Sequence, residues 1–162
     1  MRPTRQHPSA RFPDDPNPDD PLIGARLRYV LSAVEARIVQ SLVGAGFTDI
    51  HLAHFKVLRF PPPENERPID LAQRAGMTKQ AMNYLLVQLE ELGYVSRSGR
   101  CVSLTDKGWK VARIQRATVR AVEREWARKL GARRFETFQA VLKDLADSEA
   151  GDGVPVVAGG DA

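Results

Sequence analysis

Apolar residues recur at Ile23, Leu27, Val30, Leu31, Val34, Ile38 and Leu42, the three- and four-residue steps of a helix with one face turned to a core, and Gly44 and Gly46 end the run. The same step continues in "DIHLAHFKVLRF" and predicts a second helix, closed by Pro61, Pro62 and Pro63, which lack the amide donor a helix needs. "PIDLAQRAG" predicts a short third helix, with Pro68 at its start and Gly76 in the left-handed turn that stops it. Thr78 then caps a fourth, "KQAMNYLLVQLEELG". One face of this helix gathers Ala81, Met82, Leu85, Leu86, Leu89 and Leu92; the other keeps Lys79, Gln80, Asn83, Tyr84 and Val87.

After Gly93 the period changes. Tyr94, Val95, Val102 and Leu104 bracket "SRSGR", which reads as two short strands about a tight turn. A helical period returns after Thr105, a capping residue, with Asp106 in the favourable first turn and a stripe of Ala112, Val119, Val122, Trp126 and Leu130. Gly131 breaks this helix, and "ARRFETFQAVLKDLA" forms the last, with Phe135, Phe138, Val141, Leu142 and Leu145 expected inward. Helix, turn, helix, hairpin is the order of a winged helix-turn-helix, whose second helix enters the DNA major groove with the hairpin, or wing, beside it. The polar face of the fourth helix fits that use. Amides pair in two places with adenine, and a lysine donates to guanine or phosphate.

Both ends differ from this body. Residues 1–21 crowd prolines, Asp and Arg with almost no apolar side chains and read as a disordered arm; residues 148–162 are rich in glycine and small side chains and read as a flexible tail. The arm holds three basic and four acidic residues and the tail three acidic ones, so residues 22–147 keep 21 of the 24 basic against 13 of the 20 acidic side chains. Their net charge of +8 suits a polyanionic partner better than the +4 of the full sequence. Cys101 is the single cysteine, so no intramolecular disulfide can form. The N-terminal residues lack the apolar run of a signal peptide, and no stretch approaches the roughly 20 apolar residues of a membrane span. A soluble cytoplasmic protein, not a membrane one, is the expectation.

Three stretches, "HFKVLRF", "DLAQRAGMTKQAMNYLLVQLEELGYV" and "VSLTDKG", resemble the MarR family of bacterial transcription regulators, and the likeness spans roughly residues 22–146. The resemblance implies a mainly α fold with a small β-hairpin wing. Residues 22–46 and 105–147 would be the long N- and C-terminal dimerisation helices, and residues 49–104 the winged helix-turn-helix. It implies a homodimer reading a pseudopalindromic operator in double-stranded DNA, commonly as a repressor released by a small-molecule effector. Mapped onto this sequence, the reading helix covers residues 78–92 and the wing residues 96–103. The wing departs from the family pattern. The usual one is longer and carries an acidic residue followed by an arginine that reaches the minor groove, whereas this chain has only "SRSGR".

The residues expected at DNA are therefore Thr78, Lys79, Gln80, Asn83 and Tyr84 from the helix, with Arg97 and Arg100 from the wing as substitutes by chemistry. For an effector, the resemblance places His51 and His54 near the family's pocket, and Trp109 is a candidate aromatic wall. Asp49, His51 and His54, with no partner elsewhere, are weak evidence for a zinc site, which wants three or four convergent ligands, so no metal is expected, and no cofactor. The row Arg113, Arg116, Arg120, Arg124 and Arg128 reads as a solvated face. No phosphate-cradling loop, nucleophile elbow or zinc-protease motif is present, which argues against an enzyme. The competing reading is a winged-helix module for a protein partner, which the short wing permits.

Overall fold

In a computed structural model of the chain, residues 20–58 and 63–151 are described. The chain divides into two compact units, residues 1–36 and residues 37–162. The first contains the opening turns of helix α1, Ile23–Gly44, along which Ile23, Leu27, Tyr29, Val30 and Leu31 are all exposed, as is Leu22 just before it. The arm expected at residues 1–21 lies outside the described residues except for its last two.

The second unit starts with the rest of α1, where Ile38 and Leu42 are buried. A 3-10 turn, Leu52–His54, and a short α2, Phe55–Leu58, follow. This corrects the second helix expected across "DIHLAHFKVLRF". The chain is extended at His51, whose backbone N–H donates to the buried His54 ring at 3.2 Å, so the first turn forms only at Leu52. Helices α3, Pro68–Arg74, and α4, Lys79–Glu91, make the helix-turn-helix, with Gly76 (φ +62°) between them. Thr78 Oγ1 accepts the Ala81 N–H and closes the start of α4. At its end Tyr94 N–H donates to Leu89 O and Gly93 N–H to Glu90 O, the paired bonds of a Schellman stop, with Gly93 at φ +77°.

Strands β1, Val95–Ser98, and β2, Cys101–Leu104, pair antiparallel, with Val95 facing Leu104 and Ser98 facing Cys101. Gly99, at φ +59°, opens their two-residue turn, and Arg100 completes it. A third extended segment joins the wing. Glu66 and Val102 exchange both backbone hydrogen bonds, at 3.0 and 2.7 Å, an arrangement no local pattern announced. Helices α5, Asp106–Leu130, and α6, Ala132–Gly151, complete the chain. Helix α6 therefore runs into the stretch read as a tail from Ser148; the remaining tail lies outside the described residues.

The core lies under the wing and α4: Leu58, Leu71, Met82, Leu86, Leu89, Tyr94, Val102 and Val111 are all essentially sealed. Among the described residues of α6 only Phe135 is buried. Phe138, Val141, Leu142 and Leu145, expected inward, are exposed in this chain. No helix among the described residues is long and apolar enough to cross a membrane.

Candidate nucleic-acid interface

Helix α4 is divided lengthwise. Met82, Leu85, Leu86 and Leu89 anchor it to the core, which fixes the orientation of the opposite face. Ala81, expected among the inward residues, is exposed, and Leu92 is half-buried. On the outward face Lys79, Gln80 and Tyr84 stand exposed and Asn83 half-buried; Val87, 46% exposed, extends it toward the far end. No acidic side chain occupies the first turn of α4; Glu90 and Glu91 both lie at its last. The helix start thus combines the positive end of the dipole, free backbone N–H groups and Lys79, a setting receptive to phosphate. Thr78 stays exposed while capping, so its hydroxyl hydrogen is free to donate outward.

The wing contributes two cations in different states. Arg97 Nε donates to Glu90 Oε2 at 3.0 Å, tying β1 to the end of α4. Arg100 stands exposed at the turn, and among the described residues no hydrogen bond or ion pair holds it.

The segment Leu104–Gly108 clamps α4, wing and α5 together. Thr105 Oγ1 donates to Gly93 O at 2.7 Å and accepts the Gly108 N–H at 3.1 Å, joining the stop of α4 to the start of α5. A Cβ on Gly108 would lie 2.1 Å from Tyr94 O, so only glycine lets the two backbones approach this closely. Lys107 Nζ donates to Leu92 O at 2.8 Å and to Asp49 Oδ2 at 3.3 Å, and sits 4.0 Å above the Tyr94 ring. Tyr94 donates its hydroxyl hydrogen to Asp49 Oδ1. Burial, then this bond to a carboxylate, push the Tyr94 phenol well above its usual range. The Asp49 carboxyl is held below its ordinary value, first by the Tyr94 hydroxyl and then, against burial, by Lys107.

Similarity to known proteins agrees with this geometry. No family model matches the chain. The HTH-type transcriptional repressor Rv2887 of Mycobacterium tuberculosis is 30% identical over 134 residues, which cover 78% of this chain and 95% of that protein. The crystal structure of Rv2887, a MarR family protein, in complex with DNA superposes with a TM-score of 0.60 at 29% identity, over 78% of this chain and 98% of that one. The chain belongs to the MarR family of transcriptional regulators. Rv2887 in complex with salicylic acid gives a TM-score of 0.54 at 30% identity, over 78% and 98% of the two chains.

In this MarR-family chain the structure brings Thr78, Lys79, Gln80, Asn83 and Tyr84 onto one exposed face and sets Arg97 and Arg100 on the neighbouring hairpin. Of the residues considered for an effector it sets His51 and His54 side by side, ring centroids 5.5 Å apart. His54 is buried: its Nδ1 accepts the His51 N–H, so its Nε2 carries the proton and donates to Gln88 Oε1 at 3.3 Å. It bolts the 3-10 turn to α4 and leaves no ring nitrogen for a ligand. His51 is exposed, and among the described residues neither a hydrogen bond nor a ring contact joins half-buried Trp109 to it or to His54. Asp49 turns to Tyr94 instead of the histidines, and no group of three or more His, Cys, Asp or Glu converges among the described residues. Two features escaped the sequence reading: the Glu90 partner of Arg97, and Gln115, a buried α5 amide whose Nε2 has no hydrogen-bond partner among the described residues. Tyr94 and Lys107 stood inside motifs already singled out, yet nothing local pairs them with Asp49.

Proposed function

We propose that this protein is a cytoplasmic, homodimeric transcriptional repressor that reads a pseudopalindromic operator in double-stranded DNA. The observation that carries this reading is the acid-free polar start of α4, held outward by a sealed apolar underside and flanked by the wing. Lys79, Gln80 and Asn83 contact base edges or phosphates in the major groove. Thr78 and Tyr84 take phosphates, and the wing brings Arg97 and Arg100 to the duplex. The DNA complex of Rv2887 supports the partner. The salicylic acid complex of that relative supports a small-molecule effector as the third component. Four apolar side chains left exposed at helical spacing on α6 support a second copy of the chain as the subunit partner.

A winged-helix module for protein partners is not favoured, because the similar proteins are repressors. The similar proteins are transcriptional repressors, and the reading assigns no catalysis.

Fluorescence-anisotropy titrations across a salt series test the proposal, comparing the duplex upstream of the protein's own gene with a scrambled duplex of equal length. The expected result is tighter binding to the native duplex with affinity falling steeply as salt rises. Equal, salt-insensitive or absent binding to both would contradict it.

A further inference from the structure

We propose that Glu90 sets the charge the wing offers to DNA: by pairing with Arg97 it withdraws that arginine, leaving Arg100 as the wing's working cation. This rests on the DNA-binding reading above and refines it.

The end of α4 explains the pairing. Glu90 and Glu91 lie where the helix dipole disfavours negative charge, and the last turn of α4 has no basic residue of its own. Lys107 covers the Leu92 carbonyl, and Arg97, arriving from β1, meets the Glu90 carboxylate. Each partner is about a third to two-fifths exposed, so the pair is a weak surface one, screened by solvent. A phosphate can compete with a bond of that strength. Yet swinging Arg97 to a phosphate uncovers a carboxylate beside the same polyanion, and the gain from one contact is offset by a new like-charge repulsion. Arg97 and Glu90 together present no net charge. Arg100, on the turn opened by Gly99, has no such partner among the described residues and releases a counterion in full when it meets a phosphate.

The test is the slope of log affinity against log salt concentration on the preferred duplex, measured with the full chain and with Arg100→Ala, Glu90→Gln and the Glu90→Gln/Arg97→Ala double variant. All three positions are exposed, and matching thermal melts establish that the variants fold. Arg100→Ala is expected to flatten the slope by about 0.9 per bound protomer, and removal of the neutral pair in Glu90→Gln/Arg97→Ala to change it by less than about a third of that. Glu90→Gln is expected to steepen it by about 0.9 per protomer, and the gain to vanish in the double variant. Flattening by the double variant equal to that of Arg100→Ala, or an unchanged slope in Glu90→Gln, overturns the inference while duplex preference keeps the repressor reading. Loss of duplex preference in the unaltered protein overturns both.

Discussion

Helices α4 and α6 carry the same kind of apolar stripe, and only one of them is covered by its own chain. In α4, Met82, Leu86 and Leu89 are wholly sealed, whereas in α6 Val141 and Leu145 are about half exposed and, among the described residues, only Phe135 is buried. Burying a large aliphatic side chain is worth roughly 1.5–3 kcal/mol, so a four-residue exposed stripe is a substantial unused driving force. Within the first unit, the exposed apolar residues of α1 present the same situation. Periodicity says that a face will be buried. It does not say by which chain.

The largest expected effects fall on the sealed side. Leu86→Ala should cost about 2–5 kcal/mol in urea unfolding, with no dependence on protein concentration. Gly108→Ala should cost about 3 kcal/mol by the same measurement, because the new methyl meets the Tyr94 carbonyl and backbone cannot yield cheaply. On the exposed stripe, Leu142→Asp should leave the fold of the single chain intact and weaken self-association by about 2 kcal/mol, roughly a 30-fold rise in Kd by sedimentation equilibrium. An equally large loss of intrinsic stability in Leu142→Asp would erase the distinction between the two helices. On the polar side of α4, Asn83→Ala should lose about 1–3 kcal/mol of discrimination at one base position. Equal loss on specific and scrambled duplexes would remove Asn83 from base reading.

The smallest effect concerns Asp49. Its carboxyl is depressed in the fold, so the stability it contributes is present above its unfolded value near pH ~4 and is lost as pH falls below that. Asp49→Asn should therefore lower the urea midpoint at pH 6 and flatten its decline toward pH 3. An unchanged acid limb would show that Tyr94 and Lys107 do not hold this carboxylate.

Where the determinants are local, the fold was legible in the residues. The Thr78 and Thr105 caps, the Gly93 stop and the change of period at Tyr94 each act within a few positions, and they place α4, the hairpin and α5 where the pattern expects them. What escaped is long-range. The ion pair of Arg97 with Glu90 crosses a helix stop, and Asp49 meets Tyr94 and Lys107 across 45 and 58 positions of sequence. The second helix broke because the His54 ring took a backbone donor, a competition that an apolar period does not display. The exposed candidates on α4 were visible as residue types; that Arg97 is engaged and His54 sealed was visible only in three dimensions.

Selecting duplexes from a random pool at physiological salt and sequencing those retained would show whether a dimer reads DNA through the polar face of α4. For the unaltered chain a two-fold symmetric motif is expected, with half-sites about one helical turn apart or a multiple of it. Asn83→Ala should degrade the information at one symmetric pair of positions. Enrichment of no sequence, or of a single motif without symmetry, would contradict that reading.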